Sequence, residues 1–125
     1  MIALTKSFRK QLKAASVSIA DIIVGINRVL NRGIMRQGDT LLGNSFLKLK
    51  NCSVAKIRIG TKQQARMLVI FLIIDNLKIP FFIANKNDKR LGGNLSITTM
   101  EKIAMPKAVK VLGEFYNDEF EKIDE

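Results

Sequence analysis

Residues 67–74, MLVIFLII, contain no polar side chain, and they follow two cations, Lys62 and Arg66, set four positions apart. A run of eight is too short to cross a bilayer as a helix, which takes roughly 20 residues. It reads instead as a central strand covered on both faces, or covered on one and mostly filled on the other. The next residues, DNLK, form a turn through Asp75 and Asn76. IPFFIAN then returns as a strand, with Pro80 near its start, where a missing N–H donor is tolerated. The two runs predict an antiparallel hairpin in the core, with Arg66 at the end where the chain enters it.

The rest of the chain is read against this hairpin. LTKSFRKQLKAA places Leu4, Phe8 and Leu12 at steps of four, one apolar stripe of a helix whose remaining surface carries Lys6, Arg9, Lys10 and Lys13. SIADIIVGINRVLNRG predicts a second helix. Ser18 and Asp21 have capping-box spacing, Ile19, Ile22, Ile23, Ile26, Val29 and Leu30 give the buried face, and Gly33 is a stop. IMRQGDTLLGN has no period and reads as a loop. SFLKLKN and VAKIRIG alternate apolar with basic residues, as half-buried strands do. SITTMEKIAM has capping-box spacing between Thr98 and Glu101 and suggests a short helix. Pro106 then opens a last helix with Leu112, Phe115, Tyr116 and Phe120 on its apolar face. The order predicts one α+β domain over 1–125: a helical hairpin in 1–33, an antiparallel sheet of three to four strands in 45–85, and a C-terminal helical segment in 96–125 with an acidic end.

Composition limits the chemistry. The chain has no histidine and one cysteine, so histidine catalysis and a typical zinc site are excluded, and no metal or other cofactor is expected. A lone Cys52 cannot form an internal disulfide and fits a reducing compartment. MIALTKSFRK has neither an apolar core nor a small-residue cleavage site, so the expectation is a cytoplasmic protein without a membrane partner. Residues 1–112 hold 20 Lys/Arg against 5 Asp/Glu, or +15, while 113–125 hold 6 acids against Lys122, or −5. Such a body suits a polyanion such as nucleic acid. The acidic end is either a solvated C-terminal helix with frayed charge or a built-in competitor for phosphate at the cationic face.

These elements together resemble the RelE/HigB/ParE superfamily of bacterial type II toxins, whose members often carry a run like "yKlR…nsS…GKsGGyRviyyv…iylltiYsKsdkenls". Lys48, Leu49 and Lys50 stand where that family has Lys-x-Arg, although KIRIG at 56–60 offers a second place for it. NCS stands near its "nsS", Lys62 matches the GK lysine, and Arg66 matches the arginine that opens the long strand. NKND at 85–88 takes the place of "sKsd", and TKSFRKQLKA is similar to "tkrFkkdlkkl". The chain departs from the pattern at Gln63, Gln64 and Ala65, which replace the glycines, and at Ala84 and Asn85, where an aromatic residue often precedes the lysine.

The resemblance implies two N-terminal helices packed on a curved antiparallel sheet and a C-terminal helix. It also implies ribosome-dependent cleavage of messenger RNA, in which a 2′-hydroxyl attacks the adjacent phosphate. Cations can offset the charge of the pentavalent intermediate, and a lysine crowded by other cations is a candidate base. Lys62, Arg66 and Lys86 are the expected catalytic residues, with Lys48, Lys50, Lys56, Arg58, Lys89 and Arg90 as RNA-backbone contacts. The implied partners are a cognate antitoxin, the ribosome and messenger RNA. A gyrase inhibitor resembling the non-enzymatic ParE branch, and a basic nucleic-acid-binding module with the same fold, are the alternatives.

Overall fold

A computed structural model describes residues 1–43, 52–60, 65–72, 75–85 and 97–123. Strand β1 (Ile2–Thr5) leads directly into helix α1 (Lys6–Ala15), followed by α2 (Ile19–Ile26) and a π-helical turn (Asn27–Asn31). Strands β2 (Thr40–Gly43), β3 (Cys52–Ile59), β4 (Ala65–Leu72) and β5 (Leu77–Asn85) come next, then α3 (Ile97–Tyr116) and β6 (Phe120–Ile123). The six strands form one sheet in the order β2-β3-β4-β5-β1-β6. All pairs are antiparallel except β1 with β5, which are parallel.

The α+β class, the hairpin of 67–85 and the strand over VAKIRIG agree with the sequence expectations. SFLKLKN lies outside the described residues. Other expectations are corrected. The sheet has six strands and is mixed, not three to four antiparallel ones, because both ends of the chain add to it. Leu4 belongs to β1, where all four residues are buried between β5 and β6, and the helix begins only after Thr5, whose hydroxyl accepts the Phe8 N–H. Thr40–Gly43, expected in a loop, pairs with β3 through a bulge. The C-terminal segment is one 20-residue helix with Pro106 in its interior, followed by a strand. Pro106 and Lys102, whose carbonyl the proline leaves without its helical donor, are both exposed, which softens the usual cost of an interior proline.

Local chemistry accounts for the boundaries. Ser18 caps α2 by accepting the Asp21 N–H at 3.1 Å, as its spacing predicts. The π turn closes through Arg32 N–H to Asn27 O at 3.0 Å, and Gly33 follows at φ +67°. Gly25 is buried flush against Ile57 and Ile59, so α2 covers the face of β3 that carries those isoleucines. Ile19, expected on the buried face, is exposed. After α3 the chain reverses at Asp118, which takes the left-handed conformation (φ +59°). Tyr116 is therefore largely exposed instead of lying in a packed face, while Phe120 moves onto β6 and stacks against Phe115 at 4.8 Å.

Strand β5 is central, and its bulge places Phe81 as the extra residue opposite the Leu68–Val69 step, next to Pro80. Leu77 and Lys78 belong to this strand and not to the turn. β1 covers only the start of β5, with Ile2 opposite Lys78. Beyond it, the Gln11 side chain of α1 continues the pairing: its Nε2 donates to Phe81 O (3.0 Å) and its Oε1 accepts the Ile83 N–H (3.2 Å).

Candidate functional site

Alternation along β3 puts Lys56 and Arg58 on one face and Ile57 and Ile59 on the other. The register of β3 with β4 sets Arg58 directly opposite Arg66, so the two guanidinium groups share the face turned away from α2. Lys56 lies two residues along, opposite Leu68 and beside Thr40 of β2. All three cations are partly exposed. Partial burial and the charge of Arg58 lower the pKa of Arg66, while Asp39 acts in the other direction. A guanidinium still holds its proton at neutral pH, so the strain takes the form of concentrated positive potential.

Asp39 organises the surroundings. Its side chain is completely buried and accepts from Arg28 Nη2 at 2.6 Å, from the Arg36 N–H at 2.9 Å and from the Arg58 N–H at 2.8 Å. Arg28, presented by the π turn, also reaches Arg58 O at 3.4 Å. One carboxylate thus ties the end of the second helix and the loop before β2 to the backbone of Arg58. The Arg58 guanidinium lies over Gly38, whose φ of +95° and lack of a Cβ make room for it. Arg66 Nη1 donates to Ala65 O at 3.3 Å.

Of the nine site residues expected from sequence, Lys56, Arg58 and Arg66 are described and are brought together. Lys48, Lys50, Lys62, Lys86, Lys89 and Arg90 lie outside the described residues. Ala65 pairs with Asn85, the residue before Lys86, and Lys62 precedes Ala65 by three positions. Sequence reasoning missed Arg28, Gly38 and Asp39. A signal existed: Asp39 is the single carboxylate between positions 22 and 74, among nine Lys/Arg. Cys52 is buried, and desolvation pushes its thiol pKa up, which disfavours a nucleophilic role. Among the described residues no group of three His, Cys, Asp or Glu side chains is placed to hold a metal, and no single helix is long and apolar enough to cross a membrane.

The described part of the acidic end, 113–123, lies away from this face. Glu121 pairs with Arg9 of α1 at 2.8 Å, and β6 lies three places from β4 in the sheet, beyond β5 and β1. Comparison of the chain with protein-family models, with curated proteins and with solved structures gave no match.

Proposed function

We propose that the protein is a toxin of the RelE/HigB type, a ribosome-dependent messenger-RNA endonuclease that blocks translation, with the Arg58–Arg66 pair holding the scissile phosphate. The observation that carries this reading is the pair itself. Like charges directly opposite on neighbouring strands are destabilising, and an anion between them replaces repulsion with charge-assisted hydrogen bonds. The clamp is also preorganised, since Asp39 fixes the backbone of Arg58 before any ligand arrives.

In the proposed reaction a base removes the proton of the 2′-hydroxyl, whose oxygen bonds to the adjacent phosphorus. The 5′-oxygen then leaves and takes a proton, giving a 2′,3′-cyclic phosphate and a 5′-hydroxyl end. Arg58 and Arg66 stabilise the dianionic phosphorane. Lys62 and Lys86, by their resemblance to the family's lysines, are the proposed proton carriers. Lys56 extends the cationic row along the backbone, and Lys48, Lys50, Lys89 and Arg90 are proposed to continue it. A cognate antitoxin and the ribosome are the proposed partners, in the cytoplasm and without a metal.

Induced expression with mapping of messenger-RNA 5′ ends tests the reading. The wild type is expected to arrest growth and generate new 5′-hydroxyl ends. Arg66→Ala and Arg58→Ala, each shown to be folded by circular dichroism, are expected to lose both effects. Undiminished arrest by a folded Arg66→Ala protein discards the site. Arrest without new RNA ends, accompanied by altered DNA supercoiling, replaces the nuclease with the gyrase inhibitor.

A further inference from the structure

A pocket of about 350 Å³ lies between α1, α3 and the end of β5, within the size range of small-molecule sites. Two helical stripes face each other across it. Ser7, Gln11 and Ala14 come from α1, with Lys10 beside them, and Ile103, Lys107 and Lys110 come from α3. Residues 82–85 of β5 also line it. The helices are fastened at one end, where Glu114 Oε1 accepts both the Ser7 N–H (2.9 Å) and the Ser7 hydroxyl (2.7 Å).

The pocket is electrostatically one-sided. Among the described residues its lining contains Lys10, Lys107 and Lys110 and no carboxylate. Glu114, beside Lys110, is committed to Ser7. Gln11 has both ends of its amide committed to β5, so that wall is fixed and its polar atoms are already satisfied. Lys107 is half-buried, while Lys10 and Lys110 are exposed. Ala14, Ala15, Phe82 and Ile103 add apolar surface. A cavity lined by three lysines and an apolar wall suits a phosphate monoester on a small organic body. The phosphate takes the ammonium groups, and the body takes the apolar wall.

We infer that the α1/α3 pocket is a binding site for a small phosphate monoester such as a nucleoside monophosphate. It adjoins Arg66, whose cross-strand partner Ala84 lines it, but its lysines come from α1 and α3 and the inference does not rest on the nuclease reading. Ligand held there bridges α1 to α3 and stabilises their docking by mass action.

Protein-observed NMR titration at low ionic strength tests this, with the Gln11 side-chain amide and the Ala84 backbone amide as reporters. The probes are adenosine 5′-monophosphate, adenosine and inorganic phosphate, each added to the full chain. Adenosine 5′-monophosphate is expected to give saturable shifts at both reporters and to bind more tightly than either fragment. Lys107→Met with Lys110→Met is expected to weaken binding roughly tenfold or more, and Lys107→Arg with Lys110→Arg to retain it, since charge and not packing carries the contact. Folded Arg58→Ala protein, changed two strands away from β5, is expected to bind as the wild type does, so failure of the nuclease reading leaves this result in place. The site is overturned if no phosphate-bearing probe shifts the reporters saturably. It is equally overturned if the Lys→Met pair binds unchanged, or if adenosine alone binds as tightly as its monophosphate.

Discussion

Asp39 carries more of the local architecture than any cation it touches. Its carboxylate is sealed from solvent and holds three donors, one of them the Arg28 guanidinium, which is itself nearly buried. Removing one partner of such a pair leaves the other charge buried and uncompensated, which costs about 3–5 kcal/mol. Asp39→Asn keeps the shape and removes the charge, and urea denaturation is expected to show a loss near the lower end of that range. Gly38→Ala acts on the same residue from the other side. A methyl at Gly38 collides with the Arg58 guanidinium and meets a left-handed backbone, so the variant is expected to lose RNA binding before it loses its fold. Alternation along VAKIRIG was enough to put Lys56 and Arg58 on one face. The pairing of Arg58 with Arg66 was not legible, because register depends on where the hairpin turns and not on either strand alone. The Asp39 contact with Arg58 spans 19 positions and leaves no local period to read.

Helix α1 is held by two side chains that reach beyond their own element, and each makes a prediction. Gln11 supplies the donor and acceptor that a longer β1 would have given to the buried Phe81 and Ile83. Gln11→Leu strands both groups and is expected to destabilise the protein by about 2 kcal/mol, measured by thermal or urea unfolding. Glu114 joins α3 to the start of α1. Burial works to raise its pKa, but hydrogen bonds from Ser7 and Thr5 and the charge of Lys110 outweigh it, leaving the carboxyl below its ordinary value. A depressed acid stabilises the fold above its unfolded pKa of about 4.3, and that contribution disappears as pH falls through the lower folded value. Acid unfolding followed by circular dichroism is expected to start at higher pH once Glu114 can no longer titrate, as in a Glu114→Ala protein, whose stability should depend less on pH below 4.3. The cores of α2, β4 and β5 were legible because each carries a sustained apolar pattern, whereas α3 was read as two helices broken at Pro106. β1 and β6 were not. Four residues of IALT merge into the amphipathic stripe of α1, and FEKI carries two charges in four positions, so each strand exists through its non-local neighbours.

Across the whole molecule, charge is segregated by strand order. The Arg58–Arg66 face lies toward the β2 side of the sheet, and β6 forms the opposite edge, where Glu121 is engaged by Arg9. Among the described residues, Glu121 therefore does not screen the cationic face by contact. RNA binding is expected to be governed by phosphate contacts: with about six of them, affinity falls by roughly three orders of magnitude between 50 and 200 mM salt. Filter binding or anisotropy with a short RNA measures the slope, and a flat response excludes a backbone-driven interface. Removing 117–125 is not a clean way to unmask that face, since it strips the outer partner from β1 and exposes Ile2 and Leu4 along an open edge.

The position of β1 also sets the order of assembly. It is synthesised before both of its neighbours, which begin at Leu77 and Phe120, so one side is paired only after β5 and the other only after β6. Sequence-distant pairing is slow because loop closure precedes the contacts that reward it. On a translating ribosome the hairpins β2–β3 and β4–β5 are available early, whereas the sheet closes only when β6 emerges. Until β5 has been made, the buried Ile2, Ala3 and Leu4 have no strand to pair with, so β1 is an exposed apolar segment during synthesis.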